Sequence, residues 1–184
     1  MFSIVRYLLI AGFIVGASSL FAAGADANTS APAKSQSIRF TFTDAEGQSF
    51  QILPRSNGLN YPDFKGKAVF AMFFIHTGTP CRNELQLLSK LKPKLPDLEV
   101  VAFELKGLKP DQLKAFQEEL KLQGIHLVDT AQAMPFARFI AQAAGWQGSV
   151  PLIIFTDKKG AVVHMQLGAM SAQQIEDIYR KNVN

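Results

Sequence analysis

The stretch Ala68-Val69-Phe70-Ala71-Met72-Phe73-Phe74-Ile75 contains no polar side chain; it runs into His76-Thr77-Gly78-Thr79-Pro80, and Cys81-Arg82-Asn83-Glu84-Leu85 follows at once. A continuous apolar run of that length, bounded by polar residues, predicts a central strand buried on both faces. Pro80 suits the first turn of a helix, and Leu85, Leu88 and Leu91 share one face, so a helix is expected from Pro80 to near Pro93. Cys81 then lies in the first turn, where unpaired N–H groups and the positive end of the helix dipole favour thiolate over thiol. Arg82 is adjacent and His76 is close in sequence, which adds positive charge to that setting. The alternative is a buried Cys acting as a small apolar residue.

Downstream, the residues from Glu99 to Phe103 read as a second buried strand. Pro110 opens a helix whose apolar stripe is Leu113, Phe116 and Leu120, with Gly124 beyond its last turn. Ile125 to Val128 is a short strand, and Ala131 to Ala144 a helix that tolerates Pro135 near its start. Leu152–Phe155 and Ala161–Leu167 flank Asp157-Lys158-Lys159-Gly160, the turn of an antiparallel pair. Ser171 and Gln174 form a capping box for a final helix that carries Ile175 and Ile178 inward. Upstream, Ile38–Thr43 alternates with period two, Asp44-Ala45-Glu46-Gly47 turns, and Ser49–Leu53 returns, which is a hairpin; Pro54 to Lys67 is expected to be loop. Alternating strands and helices require parallel neighbours, while Gly160 closes an antiparallel edge. The fold class expected is therefore α/β, a mixed central sheet flanked on both faces by helices and preceded by a β-hairpin.

Composition narrows the function classes. Of 184 residues, 48% are hydrophobic and 18% charged, which excludes a disordered chain. Part of that apolar excess lies at the N-terminus, where Arg6 precedes an uncharged run from Tyr7 to Ala25 that ends in small residues. The pattern is that of a signal peptide over 1–25, with an N-terminal anchor as the alternative. Residues 26–37 form a polar linker and 38–184 the domain. The expected location is the periplasm, or the inner-membrane surface if the segment stays uncleaved; only then is a membrane a partner. The net charge of +4 is scattered, so no nucleic-acid partner is expected. His76, His126 and His164 have no ligand spacing, so no metal is expected. The 15 Phe residues fall mostly in strands and on helical stripes, as core residues do, and Trp146 either lines a groove near Pro151 or packs its own helix. The single cysteine excludes a disulfide framework, a cysteine zinc site and a Cys-x-x-Cys pair.

Gly66-Lys67 before the apolar strand, Pro80-Cys81-Arg82-Asn83-Glu84 after it, Val150-Pro151-Leu152-Ile153-Ile154-Phe155 and Asp157-Lys158-Lys159-Gly160 resemble the exported thioredoxin-like proteins of the TlpA, ResA and CcmG type. The resemblance spans about residues 38–182. It implies a thioredoxin-like fold and a thiol–disulfide oxidoreductase ancestry, with a context in disulfide reduction or cytochrome c maturation. It also implies that Cys81 is the second, more buried Cys of that family's pair. Gly78 then stands where the nucleophilic Cys should be, Thr77 at the family's Trp, and Met72 at its buried acidic or amide residue. Glu84 matches the family glutamate and Pro151 its cis-proline. The substrate-binding positions implied are Val150, Pro151, Thr79 and Pro80, where a backbone edge receives an extended peptide.

A dithiol oxidoreductase needs a second thiol to resolve the mixed disulfide, and Cys81 has none within the chain. Three readings follow. The first is a one-Cys protein that binds thiol or disulfide partners, or extended peptides, and forms mixed disulfides through Cys81. The second is a redox-silent binding or scaffold protein. The third is a single-thiol peroxidase or reductase served by an external thiol. No cofactor is expected, and whether the chain is an enzyme is left open at this level.

Overall fold

The organising element is β4, Ala68–Phe74, every residue of which is buried. Its even-numbered side chains enter one apolar cluster and its odd-numbered ones another, so the strand has no solvent face. This is why it reads as an unbroken apolar run rather than an alternating one. The structure, a computed structural model, describes residues 38–183. The proposed signal peptide and linker lie outside the described residues. Among the described residues no helix is long and apolar enough to cross a membrane.

β4 pairs in parallel with β5 (Leu98–Glu104) and antiparallel with β7 (Leu152–Thr156). β5 carries β6 (His126–Val128) in parallel, and β7 carries β8 (Val162–Leu167) antiparallel, giving a five-stranded sheet in the order β6-β5-β4-β7-β8. Helices α1 (Thr79–Leu91), α2 (Pro110–Leu120) and α4 (Ala172–Val183) bury their stripes in one cluster. α3 (Thr130–Ala144) packs in the other with the N-terminal hairpin, β1 (Phe40–Thr43) and β2 (Ser49–Arg55). The mixed sheet, the helices on both faces and the hairpin agree with the expectation from sequence.

Two local features differ from it. The segment 54–67 is not all loop: β2 continues to Arg55, turns at Ser56-Asn57, and returns as β3 (Gly58–Asn60), followed by a short 3-10 turn at Pro62–Phe64. The third strand is held from outside the hairpin, because Leu59 N–H donates to Gly160 O at 2.8 Å. The backbones approach so closely there that a Cβ on Gly58 would lie 2.0 Å from Gly160 O. The other difference is at the end of α2, where Lys121 (φ 55°) takes the left-handed capping conformation ahead of Gly124. Elsewhere the caps follow the sequence. Ser171 N–H donates to Gln174 Oε1 at 2.8 Å and Gln174 N–H to Ser171 Oγ at 3.3 Å, forming the capping box of α4.

Candidate functional site

β4 ends at Phe74, and the chain turns through Ile75–Thr77 before Gly78 caps α1 in an extended conformation. Gly78 N–H donates to Ile75 O at 3.1 Å, and Arg82 N–H to Gly78 O at 3.0 Å, so the turn is closed from both sides. Thr79 and Pro80 are exposed, Gly78 is half-buried, and Cys81 points inward with 1% of its surface accessible. A Cβ placed on Gly78 would stand 3.4 Å from Cys81 Sγ and 3.1 Å from Ile75 Cγ1. In a disulfide, bond lengths and angles put the Cβ of one cysteine about 3.0 Å from the sulfur of the other. A cysteine at position 78 would therefore come close to disulfide geometry with Cys81, with the Ile75 side chain taking up part of the space its sulfur would use.

The surroundings of Cys81 do not stabilise a thiolate, contrary to the expectation from its place at a helix start. Burial pushes its thiol above the ordinary value, a backbone hydrogen bond at Ile75 only partly opposes this, and the nearby Glu84 carboxylate pushes the same way as burial. Arg82 gives little help, because its guanidinium faces α2. It pairs with Glu119, donates to His76 O at 3.3 Å and lies 5.4 Å over the Phe116 ring.

Glu84 lies one helical turn beyond Cys81 and is 2% exposed. Its Oε2 accepts from Met170 N–H at 3.0 Å, while its Oε1 has no hydrogen-bond partner among the described residues. Burial pushes its pKa up to about 7, against the Met170 hydrogen bond. An orphaned, buried carboxylate oxygen is costly when charged, which is the physical reason the proton stays on. Met72, where the resemblance implies a buried acid or amide, is wholly buried in the apolar cluster that also holds Cys81 and Leu85.

At the start of β7, beside the end of β4, the Val150–Pro151 peptide is cis. Pro151 is buried and its carbonyl accepts from Gly168 N–H at 2.9 Å. Val150 is half-buried and packs against both apolar clusters; among the described residues its N–H and C=O take no hydrogen bond. Trp146 is held beside it by Nε1–H donating to Ser149 O at 2.8 Å and by its ring 5.2 Å from Phe73, so it packs the core behind this segment.

Sequence reasoning missed Glu104. This side chain, at the end of β5, is fully buried, and its carboxylate gathers three separate segments. Oε1 accepts from His76 Nδ1 at 2.8 Å, His76 N–H at 3.4 Å and Lys106 N–H at 2.8 Å. Oε2 accepts from Leu108 N–H at 3.0 Å and from the Thr130 hydroxyl. Burial opposes the charge, but the bonds from Thr130, His76, Leu108 and Lys106 outweigh it and hold the carboxyl below its ordinary value. An ionised carboxylate only accepts, so His76 Nδ1 carries the hydrogen. Glu104 thus ties the turn before α1 to the β5–α2 loop and to the start of α3, and Lys106 Nζ reaches Thr77 Oγ1 at 3.1 Å. The sequence signal for it was slight: a glutamate ending an otherwise apolar strand.

No protein-family model matches the chain. It is 26% identical over 143 residues to the thiol-disulfide oxidoreductase ResA of Bacillus anthracis, covering 77% of this chain and 73% of that protein. Among solved structures, a thioredoxin-family thiol:disulfide interchange protein from Chlorobium tepidum superposes with a TM-score of 0.61 at 17% identity, covering 79% of this chain and 94% of the other. A secreted Mycobacterium tuberculosis disulfide oxidoreductase homologous to E. coli DsbE gives 0.57 at 19% identity, over 77% and 95% of the two chains. StoA from Bacillus subtilis gives 0.56 at 17%, over 76% and 95%. With Cys81 in the first turn of the helix that follows β4 and a cis Val150–Pro151 peptide at the start of β7, the chain has a thioredoxin-like fold and is similar to the thiol-disulfide oxidoreductases named above.

Proposed function

We propose that this chain is an exported thioredoxin-like protein that binds an extended or Cys-containing partner segment across the Gly78–Cys81 turn and the Val150–Pro151 edge, without running a dithiol cycle of its own. One observation carries the reading: the only cysteine in the sequence is buried beneath Gly78, with burial and Glu84 both holding its thiol protonated. Turnover of the family type needs an exposed thiolate to attack and a second thiol to resolve. Neither is supplied by Cys81. The same burial argues against a one-Cys peroxidase, whose thiolate must meet peroxide directly.

The binding half rests on different groups. The free N–H and C=O of Val150, beside exposed Thr79 and Pro80, offer main-chain hydrogen bonds to an added strand. The Glu104 network holds the turn that forms the other wall. A mixed-disulfide variant of this reading is favoured by the absence of a side chain at Gly78, which leaves a partner sulfur a route toward Cys81 Sγ once Ile75 moves aside. In that step Cys81, exposed as Ile75 moves aside, first gives up its proton; its thiolate attacks the partner disulfide, the Cys81–partner S–S bond forms as the partner S–S bond breaks, and the second partner sulfur leaves as thiolate and takes up a proton.

Insulin reduction with a dithiol recycling system tests the proposal. Wild type is expected to show no rate above background, and Gly78→Cys to reduce insulin. Wild-type turnover would contradict the loss of the cycle. A folded Gly78→Cys protein without activity would contradict the assignment of Gly78 to the missing cysteine. Binding of extended Cys-containing peptides, followed by NMR, should perturb Val150 and Thr79 first.

A further inference from the structure

Beside the loop that leads into Val150 lies a hollow of about 310 Å³ whose apolar lining includes Leu105, Met134, Ala137, Ala141 and Trp146. Met134, Ala137 and Ala141 stand at i, i+3 and i+7 on one face of α3, and the two alanines leave open the space that larger residues would fill. Two links join the hollow to the binding edge. Gly148 lines it, and Val150 follows two positions later. Leu105 N–H donates to Phe74 O at 2.9 Å, which sets Leu105 beside the end of β4, where the chain enters the Gly78 turn.

The free charges around this hollow are of one sign. Arg138 is the one charged residue of α3 and the one charged residue lining the hollow. Lys106 follows Leu105, and its Nζ rests on the neutral Thr77 Oγ1 at 3.1 Å, at the edge of the Gly78 turn. Both side chains are exposed, and neither makes a salt bridge among the described residues. No Asp or Glu occurs from Ile75 to Asn83, from Leu105 to Lys109, or from Thr130 to Thr156. The acids of the neighbouring segments are already engaged. Glu104 is buried among the donors described above, and Asp129 is buried as the cap of α3, accepting from Ala131 and Gln132 N–H at 2.8 and 3.1 Å. Glu119 pairs with Arg82, while Lys109 and Asp111 at the start of α2 cancel in net charge.

We propose that the segment bound at Val150 is acidic: an extended peptide that places one leucine- or phenylalanine-sized side chain in the hollow and sets carboxylates against Arg138 and Lys106. The inference rests on the binding role given above to the Val150 edge and adds the chemistry of what binds there. In an extended segment, residues two positions apart face the same side, so the acids stand two positions before or after the apolar residue. The planar Arg138 guanidinium suits a carboxylate in the bidentate manner, and Lys106 can leave Thr77 for a charged acceptor. Exposed pairs of this kind contribute modestly and are screened by salt, so they select the partner more than they set the total affinity.

Trp146 is the single tryptophan of the sequence and lines the hollow, so its fluorescence reports occupancy. The full chain, in the form it has after export, is titrated with cysteine-free Ser/Thr peptides of equal length that carry a central Leu with Asp, Asn or Lys two positions to either side. At low salt the Asp peptide is expected to bind about three- to tenfold more tightly than the Asn peptide, and the Lys peptide most weakly; at about 1 M salt the difference should vanish. Exchanging the central Leu for Ser should abolish the Trp146 response. Arg138→Gln and Lys106→Gln should each reduce the preference for Asp, with the melting temperature unchanged because both side chains are exposed, and Arg138→Lys should retain most of it. Equal affinity for the Asp and Asn peptides, with the Val150 amide shifting in NMR spectra for both, would overturn the acidic assignment and leave the binding edge standing. A preference for Asp that survives the double Gln variant would also overturn it. Silence of Trp146 and of the Val150 amide toward every peptide would overturn both readings. Binding to phosphatidylglycerol vesicles without a response to the Asp peptide would assign the cations to a membrane surface and overturn the proposal.

Discussion

Replacing Glu84 by Gln should change how stability depends on pH. In the folded protein the Glu84 carboxyl is pushed up to about 7, against 4.5 in the unfolded chain. Between those values the unfolded state releases its proton and the folded state keeps it. The unfolded state therefore binds fewer protons, and stability falls as pH rises. Across the interval, at about 1.4 kcal/mol per pH unit, the loss from this group is about 3 kcal/mol. Glutamine cannot ionise, and its carbonyl oxygen can still accept from Met170 N–H. Its amide hydrogens at the unpartnered Oε1 position impose a constant cost of about 1–3 kcal/mol, so the informative quantity is the slope. Urea unfolding of both proteins at pH 5, 6, 7 and 8 should show the wild type losing about 2 kcal/mol relative to Glu84→Gln between pH 5 and 7. The same substitution removes the negative charge beside Cys81 and should lower the thiol pKa. Parallel stability curves would refute the claim that Glu84 is buried as an acid.

Other expected outcomes follow from named contacts. Glu104→Leu should cost about 3–5 kcal/mol by chemical denaturation, because it strands the donors of His76, Lys106, Leu108 and Thr130 in a buried site; Glu104→Gln should cost less. Gly78→Cys should lower stability when reduced, because its Cβ meets Ile75 Cγ1 at 3.1 Å, and the same substitution should cost less in an Ile75→Ala background, where Cγ1 is gone. His126 donates to Asp44 Oδ2 at 2.7 Å across the hairpin; its burial disfavours the charged ring, but Glu99 and Asp44 outweigh this and raise its pKa. A raised histidine contributes stability that is complete below about 6.5 and is lost as pH climbs through its folded value. His126→Phe should therefore flatten the wild-type decline above that pH, as read from melting temperatures.

How much of this was legible in the sequence varies by element, for physical reasons. β4 was legible because burial on both faces leaves no alternation and the run needs no other context. β3 was not, since three residues carry no periodicity and the strand exists because Gly160 O is available to Leu59 N–H. The helix start at Pro80-Cys81 and the cis peptide at Val150–Pro151 were legible, the second through the resemblance. The state of the thiol was not. A helix start locally favours thiolate, but desolvation and Glu84 decide the outcome, and desolvation belongs to the folded core. Glu104 escaped notice because the residues that give it meaning come from segments brought together only by folding.

The most direct test of the central claim, that Cys81 rests as a buried thiol outside any self-contained redox cycle, is its alkylation by iodoacetamide as a function of pH. The account predicts slow modification of the native protein at neutral pH, an apparent pKa above that of a free cysteine, and rapid reaction once the protein is unfolded in urea. Rapid modification of the native protein at neutral pH, with an apparent pKa below that of a free cysteine, would contradict it.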